Sequence, residues 1–234
     1  MPSCSLPNGT CGRLGAPCGS GRCVARQIER LHERRWRTKL GVFFVEGEDA
    51  VAAASAEAVE VLRAGENVEP RLLAAVATAP HPPRVVGIYR RADLPAWEER
   101  DATLALWRVA DPGNVGTLIR TADAFGAAVA LSDGCADPTS PKALRASAGS
   151  IWRVPLGRWD DAGGRRVALE AHGGASLGEV DLSGPVTFLL GSEREGLPRE
   201  VERDVDATIP ISGAESLNVA ATGAIALYAK TAGT

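Results

Sequence analysis

Three stretches of the sequence gather polar side chains and glycines in patterns able to handle a ligand. DPGNVGTLIRTADAFG (111–126) holds Asn114, Gly116 and Arg120 in an N-x-G-x-x-x-R spacing. FLLGSEREGLP (188–198) ends an apolar run through Leu190 in G-x-E-x-x-G, with Gly191, Glu193 and Gly196. ATIPISGAESLNVAATGAIALY (207–228) passes from Ile209, Pro210 and Ile211 through a glycine-containing loop into Ser216, Leu217 and Asn218. The glycines let backbone approach a ligand closely. Glu193 can accept hydrogen bonds from a hydroxyl or an amine or pair with an arginine, and Arg120 is a permanent cation suited to phosphate. Each pattern also has a plain structural reading: Asn114 or Ser216 as a helix N-cap, Arg120 as a solvated side chain, the glycines as an ordinary strand-to-helix turn. Neither G-x-G-x-x-G nor G-x-x-x-x-G-K-[ST] occurs, so dinucleotide and P-loop chemistry lose their main support.

The elements around these stretches alternate. Residues 24–37 have helical spacing of Ile28 and Leu31 without glycine or proline. Strand, helix and strand patterns follow in GVFFVEG, EPRLLAAVATA and RVVGIYR, with VEVLRAG as a further strand, predicting a small α/β domain over 24–95. ADLPAWEERDA marks the boundary. Beyond it, LALWRV, AAVALSD, RRVALEA, PVTFLLG and IPIS read as strands. Helices are expected over Asn114–Phe125, from Pro141 to Ala148 and from about Ser216 to Lys230. This rhythm predicts a second α/β domain over 102–234, with a mostly parallel sheet covered on both faces and ligands at the strand ends.

Composition narrows the classes. With 45% hydrophobic and 24% charged residues, and no apolar run near the roughly 18 residues of a membrane span, no membrane association is expected and a cytoplasmic location is. Residues 1–23 carry Cys4, Cys11, Cys18 and Cys23 among turn-formers, lack a C-x-x-C pair, and read as a disordered tail rather than a zinc site; no metal is expected. The net charge of −3 announces no nucleic-acid partner, but Arg26, Arg30, Arg34 and Arg37 make one segment locally positive. Arg26, Arg30 and Arg34 are spaced by four and would share one helical face, able to meet successive RNA phosphates or simply to be solvated.

Taken together and in order, the three stretches resemble the SpoU/TrmH family of the SPOUT methyltransferases. Asn114, Gly116 and Arg120 match its first motif, Gly191, Glu193, Gly196 and Leu197 its second, and Ile209, Pro210, Ser216, Leu217 and Asn218 its third. Arg37–Gly47, R-x-x-x-x-x-F-F-V-E-G, looks like part of the family's ribosomal-protein-like RNA-binding domain. The resemblance implies a deep C-terminal trefoil knot, a homodimer with a shared site, and transfer of a methyl group from S-adenosyl-L-methionine to a ribose 2′-hydroxyl of RNA. Ribosomal RNA is favoured over tRNA, 23S rRNA in particular. It also implies site residues: Asn114, Arg120, Glu193, Ser216 and Asn218 on the catalytic side, and Leu190, Gly191, Gly196, Ile209, Ile211 and Leu217 around the cofactor. Arg120 as a proton acceptor conflicts with the permanent charge of a guanidinium, so phosphate clamping is its easier role. A non-catalytic RNA-binding relative would keep the fold without cofactor binding, and a nucleotide-dependent oxidoreductase would fit the α/β pattern alone.

Overall fold

The computed structural model describes residues 27–78 and 81–233. The expected tail over 1–23, the first residues of the expected helix, and Arg26 lie outside them. The chain divides into two compact units, one reaching Asp93 and also taking in Thr139–Pro141, the other formed by Leu94–Pro138 and the residues from Lys142 onward.

In the first unit the arginine-rich segment is not one helix, which corrects the expectation for 24–37. Residues 27–31 are helical, the chain turns at His32 and Glu33, and α1 (Arg34–Leu40) starts anew from an extended Glu33. The Arg37 side chain staples this break. Its guanidinium donates to the carbonyls of Leu31 (2.7 Å) and His32 (2.9 Å), oxygens that the end of a helix leaves without amide partners. Arg37 is 2% exposed, so its expected place on an RNA-binding surface is corrected to a structural one. Arg30 and Arg34 belong to separate helices, so the predicted common face does not exist.

After Gly41, which closes α1 at φ 66°, come β1 (Val42–Glu46), α2 (Glu48–Ala52), β2 (Glu60–Arg63), α3 (Pro70–Val76) and β3 (Val85–Arg90). The strands form an antiparallel sheet in the order β1-β3-β2. Its inward residues, among them Val42, Phe44, Leu62, Val86 and Ile88, pack with Ile28 and Leu31 of the first helix and with Leu73 and Val76 of α3.

The second unit runs β4 (Ala102–Leu106), α4 (Pro112–Ala124), β5 (Ala128–Leu131), α5 (Pro141–Ser147), β6 (Leu156–Arg158) and β7 (Arg165–Glu170). It continues with β8 (Ala175–Ser176), β9 (Val186–Leu190), β10 (Val205–Thr208) and α6 (Val219–Ala232). All seven strands are parallel, in the order β6-β5-β4-β9-β7-β10-β8. Ala105 lies in register with Ala130 and with Leu189, and Leu189 with Ala168, so these residues share one face. That face is covered by Trp97, Trp107, Trp159 and Leu197. Leu104 and Leu190 point to the other face, where α4 and α6 pack against each other and the sheet.

Two expected boundaries move. The strand expected at IPIS forms upstream, at Val205–Thr208, because β7, its partner, ends at Glu170. Pro210 also brings no amide to a ladder. The last helix begins at Val219 with Asn218 as its N-cap, so Ser216 is not the cap and lies in the preceding loop.

Close helix packing rests on two glycines. A Cβ at Gly223 of α6 would overlap the Leu118 side chain of α4. One at Gly116 would overlap the Ala143 carbonyl of α5 and stand 2.7 Å from the Ala146 methyl. A backbone carbonyl cannot step aside as a side-chain end can, so Gly116→Ala should separate α4 from α5 and cost about 1–3 kcal/mol. Thermal and denaturant melting of the variant measures this; an unchanged midpoint would mean the two helices are not tightly seated.

Candidate functional site

Because the second sheet is parallel, the loops after β4, β9, β7 and β10 emerge along one edge, the place where open α/β sheets receive ligands. Those after β9, β7 and β10 enclose a cleft of about 480 Å³, within the usual range for small-molecule sites. Its lining includes Leu190, Gly191, Glu193 and Gly196 from the second stretch and Ile209, Ile211, Ser216, Leu217 and Asn218 from the third. Leu169, Glu170 and Ala171 from the end of β7, together with Arg194 and Thr222, complete much of the wall.

The loop after β9 is folded tightly on itself. Ser192 and Gly196 exchange backbone hydrogen bonds of 3.1 and 3.0 Å, and the Glu195 amide donates to the Ser192 hydroxyl at 3.1 Å. Gly196 has φ 68°, and a Cβ on Gly191 would overlap the Gly196 carbonyl carbon. Both positions therefore need glycine for this loop to close.

The first stretch meets this loop through hydrogen bonds. Arg108, at the end of β4, holds φ 50°, a left-handed conformation uncommon outside glycine, and its amide donates to the Ser132 hydroxyl at 2.9 Å. Beyond this turn the amides of Ala110 and Asp111 donate to the Glu193 carboxylate at 3.2 and 3.3 Å. The N-cap of α4 is Asp111, not Asn114: its Oδ1 accepts from the Gly113 and Asn114 amides at 2.6 and 3.1 Å. Lys142 donates to its other oxygen at 2.7 Å. The Lys142 ammonium, together with the two amides, holds the Asp111 carboxyl below its ordinary range against a counteracting burial.

Asn114 is thereby left to bridge. Its Nδ2 donates to Glu193 at 2.9 Å and its Oδ1 accepts from Asn218 Nδ2 at 3.1 Å. Asn218 Oδ1 in turn caps α6, accepting from the Ala220 and Ala221 amides at 2.9 and 3.4 Å. Glu193, Asn114 and Asn218 thus form one relay across all three stretches. Burial pushes the Glu193 carboxyl upward, but the Asn114 amide and the backbone amides outweigh it, so its pKa lies below the ordinary value.

The structure brings together every residue expected around the cofactor, with Glu193, Ser216 and Asn218 on the same wall. Asn114 stands behind that wall, bonded to it. Arg120 is exposed on α4, outside the cleft lining, and has no hydrogen-bond or ion-pair partner among the described residues. Sequence reasoning passed over the end of β7, although the rule that ligands sit at strand ends pointed to RRVALE. It had no signal for Arg203. That side chain, 13% exposed, donates to Glu170 (2.8 Å), Asp206 (3.2 Å), and the carbonyls of Val201 (2.9 Å) and Pro198, tying the end of β7 to the chain beyond the glycine loop.

Residues 101–228 match the SpoU rRNA Methylase family. The 23S rRNA (guanosine(2553)-2′-O)-methyltransferase RlmP of Bacillus subtilis is 33% identical, over 86% of this chain and 92% of its own. Other curated relatives are matched over about half of their own length or less. Among solved structures, an AdoMet-bound rRNA methyltransferase from Sinorhizobium meliloti superposes with a TM-score of 0.78 at 30% identity, covering 90% of this chain and 94% of that one. The SpoU methyltransferase AviRb from Streptomyces viridochromogenes, in complex with AdoMet, gives 0.77 at 27% identity, covering 90% and 97%.

The relay has a pH consequence. A carboxyl whose pKa is lowered on folding contributes stability above the ordinary glutamate range and loses it as pH falls through the lowered value. The Ala110 and Asp111 amides should therefore lose hydrogen-exchange protection, relative to intrinsic rates, only at acidic pH. In Glu193→Gln, where one acceptor oxygen becomes a donor facing other donors, they should lose it at neutral pH as well. Equal protection in both proteins would show that Glu193 does not hold the two loops together.

Proposed function

The chain belongs to the SpoU rRNA Methylase family, and from that premise we propose that it transfers a methyl group from S-adenosyl-L-methionine to a ribose 2′-hydroxyl of RNA, with 23S rRNA as the substrate. The observation that carries this reading is that the second and third motif stretches wall one cleft while the first is bonded to both through the Glu193–Asn114–Asn218 relay.

The cleft fits the cofactor on its own terms. Leu190, Ile209, Ile211 and Leu217 offer apolar walls for an adenosine, the close approach of Gly191 to Gly196 exposes backbone donors and acceptors, and the volume suits a molecule of that size. When bound, the cofactor supplies a methyl group already activated by the positive sulfur. The chain's own residues then have to place a weak nucleophile against it. Glu193 already accepts three donors and its pKa is lowered, which makes it a poor proton acceptor; its part is to fix the loop. Asn114 and Asn218 hold that loop against both helix starts, and Ser216 lies on the cleft wall. Arg120, a permanent cation without a partner among the described residues, clamps the phosphate next to the target ribose. The hydroxyl proton would leave to water as the oxygen–methyl bond forms and the methyl–sulfur bond breaks, its electron pair returning to the sulfur.

The first unit is assigned to RNA gripping by the same family reading, supported by its basic surface around Arg30. The trefoil knot belongs to it too: β10 lies beyond β7, yet the chain after it returns to place α6 against α4, β4 and β9.

Methylation of the 2′-oxygen blocks the alkaline cleavage that this oxygen drives. Incubation of unmodified rRNA with the cofactor should therefore create an alkali-resistant linkage at one nucleotide. Arg120→Ala should abolish it while cofactor affinity changes by less than about tenfold. Labelled methyl found only on bases would overturn the reaction, and loss of cofactor binding in the variant would move Arg120 to the cofactor side.

A homodimer is also part of the proposal. Ile225 and Tyr228, spaced by three on α6, are 37% and 64% exposed, an apolar face suited to cover by the second copy that the family resemblance implies. Light scattering should give twice the chain mass at micromolar concentration, and Tyr228→Glu should shift it toward monomer. A monomer mass for the active wild-type protein would sink the shared site.

A further inference from the structure

The break that Arg37 staples brings together residues that a continuous helix would keep apart. Trp36, half-buried on α1, has three cations around its ring: the guanidiniums of Arg30 and Arg35 at 5.1 and 5.6 Å from the centroid, and the Lys39 ammonium at 5.2 Å. Arg35 and Lys39 come from the same helix as Trp36, whereas Arg30 comes from the helical residues before the turn. All three are exposed. One carboxylate, Glu33, pairs with Arg35 at 2.6 Å.

An exposed cation over an indole gains only about 0.5–1 kcal/mol, and three like charges crowded on one ring oppose each other. The arrangement is therefore better suited to receiving an anion than to stabilising the fold. A flat aromatic surface surrounded by cations is complementary to one kind of anion in particular. A nucleotide carries a stackable ring between two phosphates, whereas a carboxylate peptide would use the charges and gain nothing from the indole. In paired RNA the base faces are covered by their neighbours, so only an unpaired nucleotide could use both features.

We propose that Trp36, with Arg30, Arg35 and Lys39, forms a site for an unpaired nucleotide of RNA, the base stacking on the indole and the flanking phosphates meeting the three cations. This rests on the RNA substrate proposed above and narrows it to RNA with a single-stranded element at the first unit. It also replaces the helical arginine ladder expected from spacing.

The test uses the full chain and fluorescence anisotropy with a labelled oligouridylate and a fully paired RNA duplex. Trp36→Ala should weaken oligouridylate binding about tenfold or more, the range of one base–aromatic stack, while duplex binding changes by less than about twofold. Trp36→Phe, which keeps a stacking face, should recover most of the loss. Arg30→Gln, Arg35→Gln and Lys39→Gln together leave the indole in place and should lower the salt slope of oligouridylate binding by about two. Equal weakening of both RNAs by Trp36→Ala, or no weakening of either, would overturn the stacking site, as would an unaltered salt slope in the triple variant. Polyglutamate bound as tightly as oligouridylate, with the same loss in Trp36→Ala, would assign the patch to an acidic protein partner and overturn it too. Failure of the wild-type chain to bind any RNA would overturn the RNA reading itself, an outcome distinct from all the variant results.

Discussion

The amide of Asn218 has no freedom in how it faces. Its oxygen must point at the amides that open α6, so its nitrogen must point away, and the Asn114 oxygen is what it meets. That in turn aims the Asn114 nitrogen at Glu193. The orientation of each group is set by the one before it, starting from a helix end that cannot be rotated. The loops that wall the cleft inherit their positions from this chain of constraints, and so does the lowered pKa of Glu193. An aspartate in place of either asparagine would break the sequence of donor and acceptor, which is why the amide chemistry matters and not merely side-chain size.

The close approach of α4 and α6 is the other half of the same constraint. Asn114 and Asn218 sit in the first turn and at the cap of these helices, and a 3.1 Å bond between them requires the axes to be near. Gly223 permits that approach where a methyl would overlap Leu118, and Gly116 seats α4 on α5. Small residues along a helix are thus part of the site, although they touch no ligand.

Much of this was legible before any coordinates. The family resemblance carried by the three motifs implied that Gly191, Glu193, Gly196, Ile209, Ile211, Ser216, Leu217 and Asn218 share one site, and they do line one cleft, since strand-end loops in a parallel sheet converge whatever their separation in sequence. What was not legible has identifiable physical causes. Asn114 looked like a cap because it precedes an apolar helical face, but Asp111 three residues earlier caps better when Pro112 occupies the first helical position. The strand expected at IPIS slid upstream because strand length is decided by the neighbour, which sequence pattern cannot see. The arginine segment read as one helix because nothing in its spacing reveals that Arg37 will bond backwards to Leu31 and His32. A break held by a side chain bonding five and six residues back leaves no periodic trace, and here it replaced a ladder of arginines with a ring of cations around Trp36.

The hydrogen bonds of the relay join residues far apart along the chain: Asn114 and Glu193 are separated by 79 residues, and Asn114 and Asn218 by 104. Loop closure over such spans is slow and entropically costly, and it is repaid only when both partners are present. The order of assembly follows. During synthesis β4, α4 and β5 can pair and pack as soon as they emerge, whereas the cleft has no complete wall until Asn218 has been made and α6 has docked. On the proposed reading, competence to bind therefore arrives late, only once α6 has docked.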